Sequence, residues 1–396
     1  MRKLLLASAM SMLVSTTAFA EDIKLGIIFG FTGPIESLTP DMAKGAEAAI
    51  AEVSASGALL NGSTVTGIRA DSTCVDSAVA TANAEKLITS DKVSGIIGAD
   101  CSGVTGAILA NVARANGMVM ISPSATSPGL STAEDDGLFF RTAPSDARQG
   151  QIMTDVLLSR GHTSVALTYT NNDYGKGLAD AFQAAYEAGG GSVTINASHE
   201  EDKADYSSEV GALASAGGQV LVVAGYVDGG GKGITQTAID TAAFDLFLFP
   251  DGMIGATLTE NHGSDINGSF GTVPGVDPSS PASSAMAAIG EAGGYDGLAP
   301  FGPESYDAAA LIMLAMASAK SSDPQVYKDH VMKVANGPGE PIYPGDLANG
   351  VKMAAAGFAI DYVGGSSVTL IGPGESAGNY REIEIQNATI VDVNYR

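Results

Sequence analysis

The hydrophobic positions of this chain fall into short unbroken runs, separated by longer segments in which apolar residues recur every three or four positions. Residues 23–29 (IKLGIIF) are such a run, and its continuity predicts a strand of a parallel sheet buried on both faces. Residues 42–53 (MAKGAEAAIAEV) follow as an alanine-rich helix. The rhythm continues with strands at 65–70, 93–98 and 118–122 and helices at 78–89 and 104–115. It then restarts, with helices at 149–160 and 177–188 and strands at 164–169, 193–196, 220–224 and 246–249. Strands alternating with helices predict an α/β fold with parallel sheets covered by helices. Two such sets predict two Rossmann-like lobes.

Two segments around 140–143 and 270–273 are short, extended and free of helix signals, and are the expected crossings between lobes. A helix over 305–318 (SYDAAALIMLAMAS) has a broad apolar face that suits the wall of the first lobe. A third crossing is expected after Asp361. The N-terminal lobe is then 21–141 with 273–361 and the C-terminal lobe 142–272 with 362–396, joined by a three-segment hinge.

The first residues follow a different logic. Arg2 and Lys3 precede a short apolar run, and Ala18-Phe19-Ala20 precede Glu21. This order predicts a secretory signal cleaved after Ala20. The run is shorter than the roughly 20 residues that span a bilayer, and no cysteine near the cleavage point offers a lipid site. The expected compartment is the periplasm of a double-membrane bacterium. The net charge of −24 argues against a nucleic-acid partner, whose phosphates it would repel. Cys74 and Cys101 are the two cysteines of the chain. An isolated pair in an oxidising compartment usually forms a disulfide; a reactive thiol at Cys101 is the alternative.

Ligands of parallel sheets bind beyond the carboxyl ends of the strands. In the first set those ends carry Phe31 to Pro34, Asp100 to Thr105 and Pro123 to Thr126; in the second they carry Asn172-Asp173-Tyr174, Gly225-Tyr226 and Pro250-Asp251-Gly252. Hydroxyls dominate the first set, and tyrosines and carboxylates the second. Ser102, with the free amides of the helix it opens, suits an anionic group, although a helix-start serine is often a simple cap. Asp251 suits a cationic one. A carboxylate beside an ammonium is the backbone of an amino acid.

At these motifs the chain resembles the leucine/isoleucine/valine-binding proteins, the type I periplasmic solute receptors of ABC importers. The motifs are GIIFGFTGP, ADSTCVDSAVATANAEKLI, IGADCSGVTGAIL, MISPSATSPGLST, RTAPSDARQG, YTNNDYGKGLADAF, VVAGYVDGG, LFPDG and SYDAAALIMLA, and they cover essentially all the chain after the signal. The resemblance implies a Cys74–Cys101 disulfide. It implies that Ser102 and the segment Ser124-Ala125-Thr126 hold the carboxylate and ammonium of the ligand, and that Tyr174 and Tyr226 close from the other lobe. It gives Asp251 the role of acidic partner to the ammonium, where branched-chain binders generally carry the longer glutamate. That departure leaves pocket depth and side-chain preference open. Leu38 stands where close relatives have a tyrosine, and Phe301 falls where an aromatic lines the side-chain pocket or simply packs in the core.

The implied mechanism is capture by lobe closure and delivery to an ABC transporter permease in the inner membrane, by a monomer without cofactor or metal. The same fold binding an amide, urea or aromatic carboxylate, or serving a sensor, is the nearest rival. A secreted hydrolase is the rival of another class. Against it, none of His162, His199, His262 and His330 lies in a strand-end motif, and no G-x-S-x-G or H-E-x-x-H pattern occurs. The run Gly229-Gly230-Gly231-Lys232 lacks the spacing and the Ser/Thr of a phosphate loop and reads as a turn into a helix.

Overall fold

The computed structural model describes residues 20–396, so the expected signal segment, Ala20 apart, lies outside the described residues. Its strands form where the unbroken apolar runs are. The first sheet has a parallel body of β1 (Asp22–Phe29), β2 (Thr64–Asp71), β3 (Ile96–Gly98), β4 (Met120–Ser122) and β5 (Phe139–Pro144), in the order β2-β1-β3-β4-β5. The second repeats that order as β7-β6-β8-β9-β10, from β6 (Ser164–Thr170), β7 (Ser192–His199), β8 (Val220–Ala224), β9 (Phe247–Phe249) and β10 (Phe270–Pro274). In each, the order reverses beside the first strand, so a crevice opens beyond β1 and β3 and another beyond β6 and β8. The expected pair of Rossmann-like lobes is present.

Helices cover both sheets. In the first lobe these are α1 (Thr39–Ser56), α2 (Ser77–Thr89) and α3 (Ser102–Ile108), which widens into a π turn at Leu109–Ala113 and ends as α4 (Arg114–Asn116). The second lobe has α5 (Asp146–Ser159), α6 (Asp173–Ala188), α7 (Ser207–Ala216), α8 (Gly230–Asp240) and α9 (Ala256–His262). The glycine run at 229–231 is the predicted entry to a helix, α8. The chain then returns with α10 (Pro281–Gly293), α11 (Gly302–Ala319), α12 (Pro324–Ala335) and α13 (Leu347–Ala356). Residues 302–317 of α11 are all buried, as a helix apolar on every side requires. It packs on α1, α12 and α13. A Cβ on Gly45 of α1 would lie 2.5 Å from the Gly302 carbonyl oxygen, so only glycine allows that approach.

The chain changes sheets directly after β5 and β10, a few residues beyond the expected positions. The third crossing differs more. A small parallel pair, β11 (Glu340–Ile342) and β12 (Ile360–Tyr362), spans the expected point, and β13 (Leu370–Ile371) and β14 (Glu375–Ser376) still pair in the first sheet. The chain enters the second sheet only with β15 (Tyr380–Gln386) and β16 (Thr389–Tyr395). What holds 362–376 in the first lobe is polar. Asp307 of α11 accepts bonds from the Tyr362 hydroxyl (2.7 Å), the Gly365 amide (2.6 Å) and the Ser366 amide (2.8 Å). Glu375 meets the buried guanidinium of Arg141 at 2.5 Å.

Cys74, after β2, and Cys101, after β3, form a disulfide with a Cα–Cα distance of 5.1 Å and a sequence separation of 27. It ties two loops at the binding end of the first sheet. Replacing both by serine is expected to lower unfolding free energy by about 3–4 kcal/mol, the loop-closure entropy of a segment this long. Urea unfolding of the oxidised protein and the double variant checks this.

Candidate functional site

The two crevices face each other, and the loops beyond them touch. The Ser37 amide donates to Asp228 (2.9 Å), the Asp228 amide to the Pro34 carbonyl (3.0 Å), and the Ser37 and Thr257 hydroxyls lie 3.1 Å apart. The lobes are closed on a narrow cleft between them. Its first-lobe wall is apolar at Ile35, Leu38, Met42 and Phe301, and polar at Asp100, Ser102 and Ser124. Its second-lobe wall is Tyr174, Tyr226, Asp251 and Gly252.

On the first lobe, Asp100 organises the polar wall. Its carboxylate accepts from the Gly30 amide at 2.5 Å and the Ser72 hydroxyl at 2.6 Å, which locks the loops after β1 and β2 to the loop after β3. Burial pushes its pKa up, and those hydrogen bonds oppose the shift. Its carbonyl receives the Ser124 hydroxyl at 3.0 Å. Ser102 opens α3 and accepts the Ser127 amide at 3.1 Å, which leaves its own proton free to donate. Ala125 and Thr126 are buried behind this wall and do not line the cleft. Arg141 sets their loop, donating to the carbonyls of Ala125 (3.0 Å) and Ser127 (2.9 Å). Phe301 lines the cleft with a φ of 61°, a strained value for a phenylalanine.

On the second lobe, Tyr174 starts α6, whose N-terminus is capped by Asn172. Its hydroxyl donates to Asp251 at 2.6 Å, and its ring stacks on Tyr226 with centroids 5.1 Å apart. Gly252 makes this possible: a Cβ there would lie 2.7 Å from the Gly225 carbonyl oxygen and 2.8 Å from the Tyr174 hydroxyl. Asp251 also accepts the Gly252 amide at 2.9 Å. Burial pushes its carboxyl up to about 6, with the Tyr174 hydroxyl and the Gly252 amide opposing the shift.

Of the residues singled out in the sequence, the structure brings Ser102, Ser124, Tyr174, Tyr226, Asp251 and Phe301 to one cleft. Asp100 lay in a strand-end segment but was given no role, and Ile35, Met42, Gln149 and Asp146 were not anticipated. Asp146 begins α5 and has no exposed surface, and its carboxyl is pushed well up, first by burial and then by the charge of Asp251. No histidine lines the cleft, and among the described residues no group of three or more His, Cys, Asp or Glu could hold a metal.

The sequence profile of the periplasmic binding proteins matches residues 22–337. The chain belongs to this family. It is 34% identical over 218 residues to the Leu/Ile/Val-binding protein homolog 3 of Brucella melitensis, a match covering 55% of this chain and 58% of that protein. Its match to the Leu/Ile/Val/Thr-binding protein of Salmonella typhimurium is 29% identical over 273 residues and covers 69% and 73%. A leucine binding protein from Thermotoga maritima superposes with a TM-score of 0.79 at 20% identity, over 94% and 98% of the two chains. An ABC transporter solute binding protein of Rhodopseudomonas palustris, solved with p-hydroxybenzoic acid, superposes at 0.76 and 19% over 95% and 97%. At such identities the structural likeness is one of fold.

The raised Asp251 has a consequence for stability. Between about pH 4 and pH 6 the folded protein keeps a proton that the unfolded chain has released, so this group makes stability fall as pH rises through that window. Asp251→Asn is expected to raise the stability of the ligand-free protein at pH 7 by about 1–3 kcal/mol and to flatten its pH dependence between pH 4 and 6. Denaturant titrations at several pH values give the comparison.

Proposed function

We propose that the protein is a periplasmic solute-binding receptor that captures an amino acid by lobe closure and delivers it to an ABC importer. The observation that carries this reading is Asp251, a buried carboxylate lining the cleft that faces a phenol and an amide but no cation. An ammonium is the group such a carboxylate lacks. Across the cleft, Ser102 has a free hydroxyl proton to give a carboxylate. Ile35, Leu38, Met42 and Phe301 give the side chain an apolar wall, which favours leucine, isoleucine or valine. The relatives in Brucella and Salmonella carry branched-chain amino acids in their names, which agrees with this wall.

The mechanism uses the two walls in turn. The ligand settles on the Ser102 and Ser124 wall of the open first lobe, and the second lobe then brings Tyr174, Tyr226 and Asp251 over it. Water is excluded and each polar contact strengthens as the local dielectric falls. Because the ligand touches both walls only when the lobes are shut, its binding energy shifts the population toward the closed form, the form a permease in the inner membrane reads. Three chain crossings allow rotation without unfolding. The hydrogen bonding of the site calls for no covalent step, cofactor or partner subunit, and we take the protein to act as a monomer. The two lobes are taken to run 21–144 with 275–376 and 146–274 with 380–396.

A second reading has its own observation, the fold shared with the receptor solved with p-hydroxybenzoic acid. A hydroxybenzoate has a carboxylate and at most a phenol to donate to Asp251, but no positive charge, so it would leave that buried carboxylate without a cation. Calorimetric titration of protein stripped by unfolding and refolding separates the two. Leucine, isoleucine or valine is expected to bind, and Asp251→Ala to weaken binding at least a hundredfold. Binding of benzoate or 4-hydroxybenzoate alone would overturn the amino-acid assignment.

A further inference from the structure

Away from the chain crossings, the hydrogen bonds between the lobes among the described residues all lie on one rim of the cleft. The Ser37 amide donates to the Asp228 carboxylate at 2.9 Å, the Asp228 amide donates to the Pro34 carbonyl at 3.0 Å, and the Ser37 and Thr257 hydroxyls lie 3.1 Å apart. Asp228 thus both gives and accepts across the mouth. The opposite rim is held by packing instead. There a Cβ on Gly177 of α6 would lie 2.8 Å from the Ser127 hydroxyl oxygen and 2.9 Å from Pro128 Cδ.

The hydrogen-bonded rim is made of two turns, and each also carries cleft wall. Residues 34–38 place Ile35 and Leu38 on the apolar wall, and the turn is closed by the Leu38 amide on the Ile35 carbonyl at 3.0 Å. Residues 226–229 place Tyr226 on the other wall, closed by the Gly229 amide on the Tyr226 carbonyl at 3.2 Å. The bonded residues stand one or two positions from the wall residues, so parting the turns moves both walls off the ligand. Two glycines permit the approach. A Cβ on Gly229 would lie 2.7 Å from Pro34 Cβ, and one on Gly255 would lie 2.5 Å from Leu38 Cδ2. Asp228 itself does not line the cleft.

We propose that Asp228 is a latch, a positioning residue that contacts no ligand and sets how long a captured ligand stays. Its bonds exist only once the lobes have met, so they stabilise the closed form and leave the first encounter with the open lobe unchanged. They must break before the lobes part, so they slow release. They are the same whichever ligand is enclosed, so the latch governs residence time and affinity without choosing among side chains. This rests on the closure reading above and adds to it a contact outside the binding site that tunes release.

Chase of bound radiolabelled leucine gives the dissociation rate, and stopped-flow tyrosine fluorescence gives the association rate. Asp228→Ala removes one charge-assisted bond and is expected to speed dissociation about three- to tenfold with association unchanged. The same factor is expected for leucine, isoleucine and valine. Asp228→Asn keeps an acceptor for the Ser37 amide and is expected to stay within about twofold of the wild type. Thr257→Val removes the third bond from a different element and is expected to act in the same direction. Urea unfolding of the ligand-free variants, expected to match the wild type, separates release from loss of fold. Equal leucine dissociation rates for the wild type and Asp228→Ala, or a change confined to association, overturn the latch and leave the receptor reading intact. No leucine binding by the wild type overturns both.

Discussion

Asp251 is a buried carboxylate without a cation, set on the wall of the cleft where the lobes meet, and the rest of the site is arranged around that deficit. A buried charge of this kind costs several kcal/mol unless it is paired or protonated. The protein answers it in part, with the Tyr174 hydroxyl and the Gly252 amide on Asp251 and a single committed arginine at the loop behind. The first two contacts orient the Asp251 carboxylate without neutralising it. The stability given up in the empty protein is what a cationic ligand restores on binding, which converts electrostatic strain into selectivity.

The fold delivers this arrangement by using one topology twice. Both sheets run in the same order, and each reverses beside its first strand, so two crevices are created and the crossings turn them to face each other. The first lobe contributes rigidity: the disulfide and the Asp100 carboxylate bind its loops to one another. The second contributes the stacked pair Tyr174 and Tyr226, whose spacing Gly252 permits. A hard wall of hydroxyls thus meets a wall of phenols and acid.

Much of this was legible in the sequence because it is written in continuous features. The runs IKLGIIF and VLVVA are buried along most or all of their length, and their strands fall within a residue of the expected ones. Ser102, Ser124, Tyr174, Tyr226 and Asp251, which line the cleft, all lie in strand-end segments, since the topology fixes where those ends point. The third crossing was misread because β13 and β14 are two residues each, too short for any period to show. Helices α7 and α10 carry so much Ala, Gly and Ser that no strong stripe marks them, whereas α12 (Tyr327, Val331, Val334, Ala335) and α13 (Leu347, Gly350, Val351, Ala354) bury stripes at helical spacing that the sequence reading passed over. Asp146 escaped for another reason. Its burial comes from packing between distant parts of the chain, and nothing local distinguishes it from a first-turn acid on any helix.

The central claim is that one ligand carrying both a carboxylate and an ammonium is what closes the lobes. Small-angle X-ray scattering of the ligand-stripped protein, alone and with saturating leucine or benzoate, tests it directly. The account predicts that leucine lowers the radius of gyration and brings the scattering curve to that of the closed structure, while benzoate leaves the open curve unchanged. Closure by benzoate with no response to leucine would contradict it.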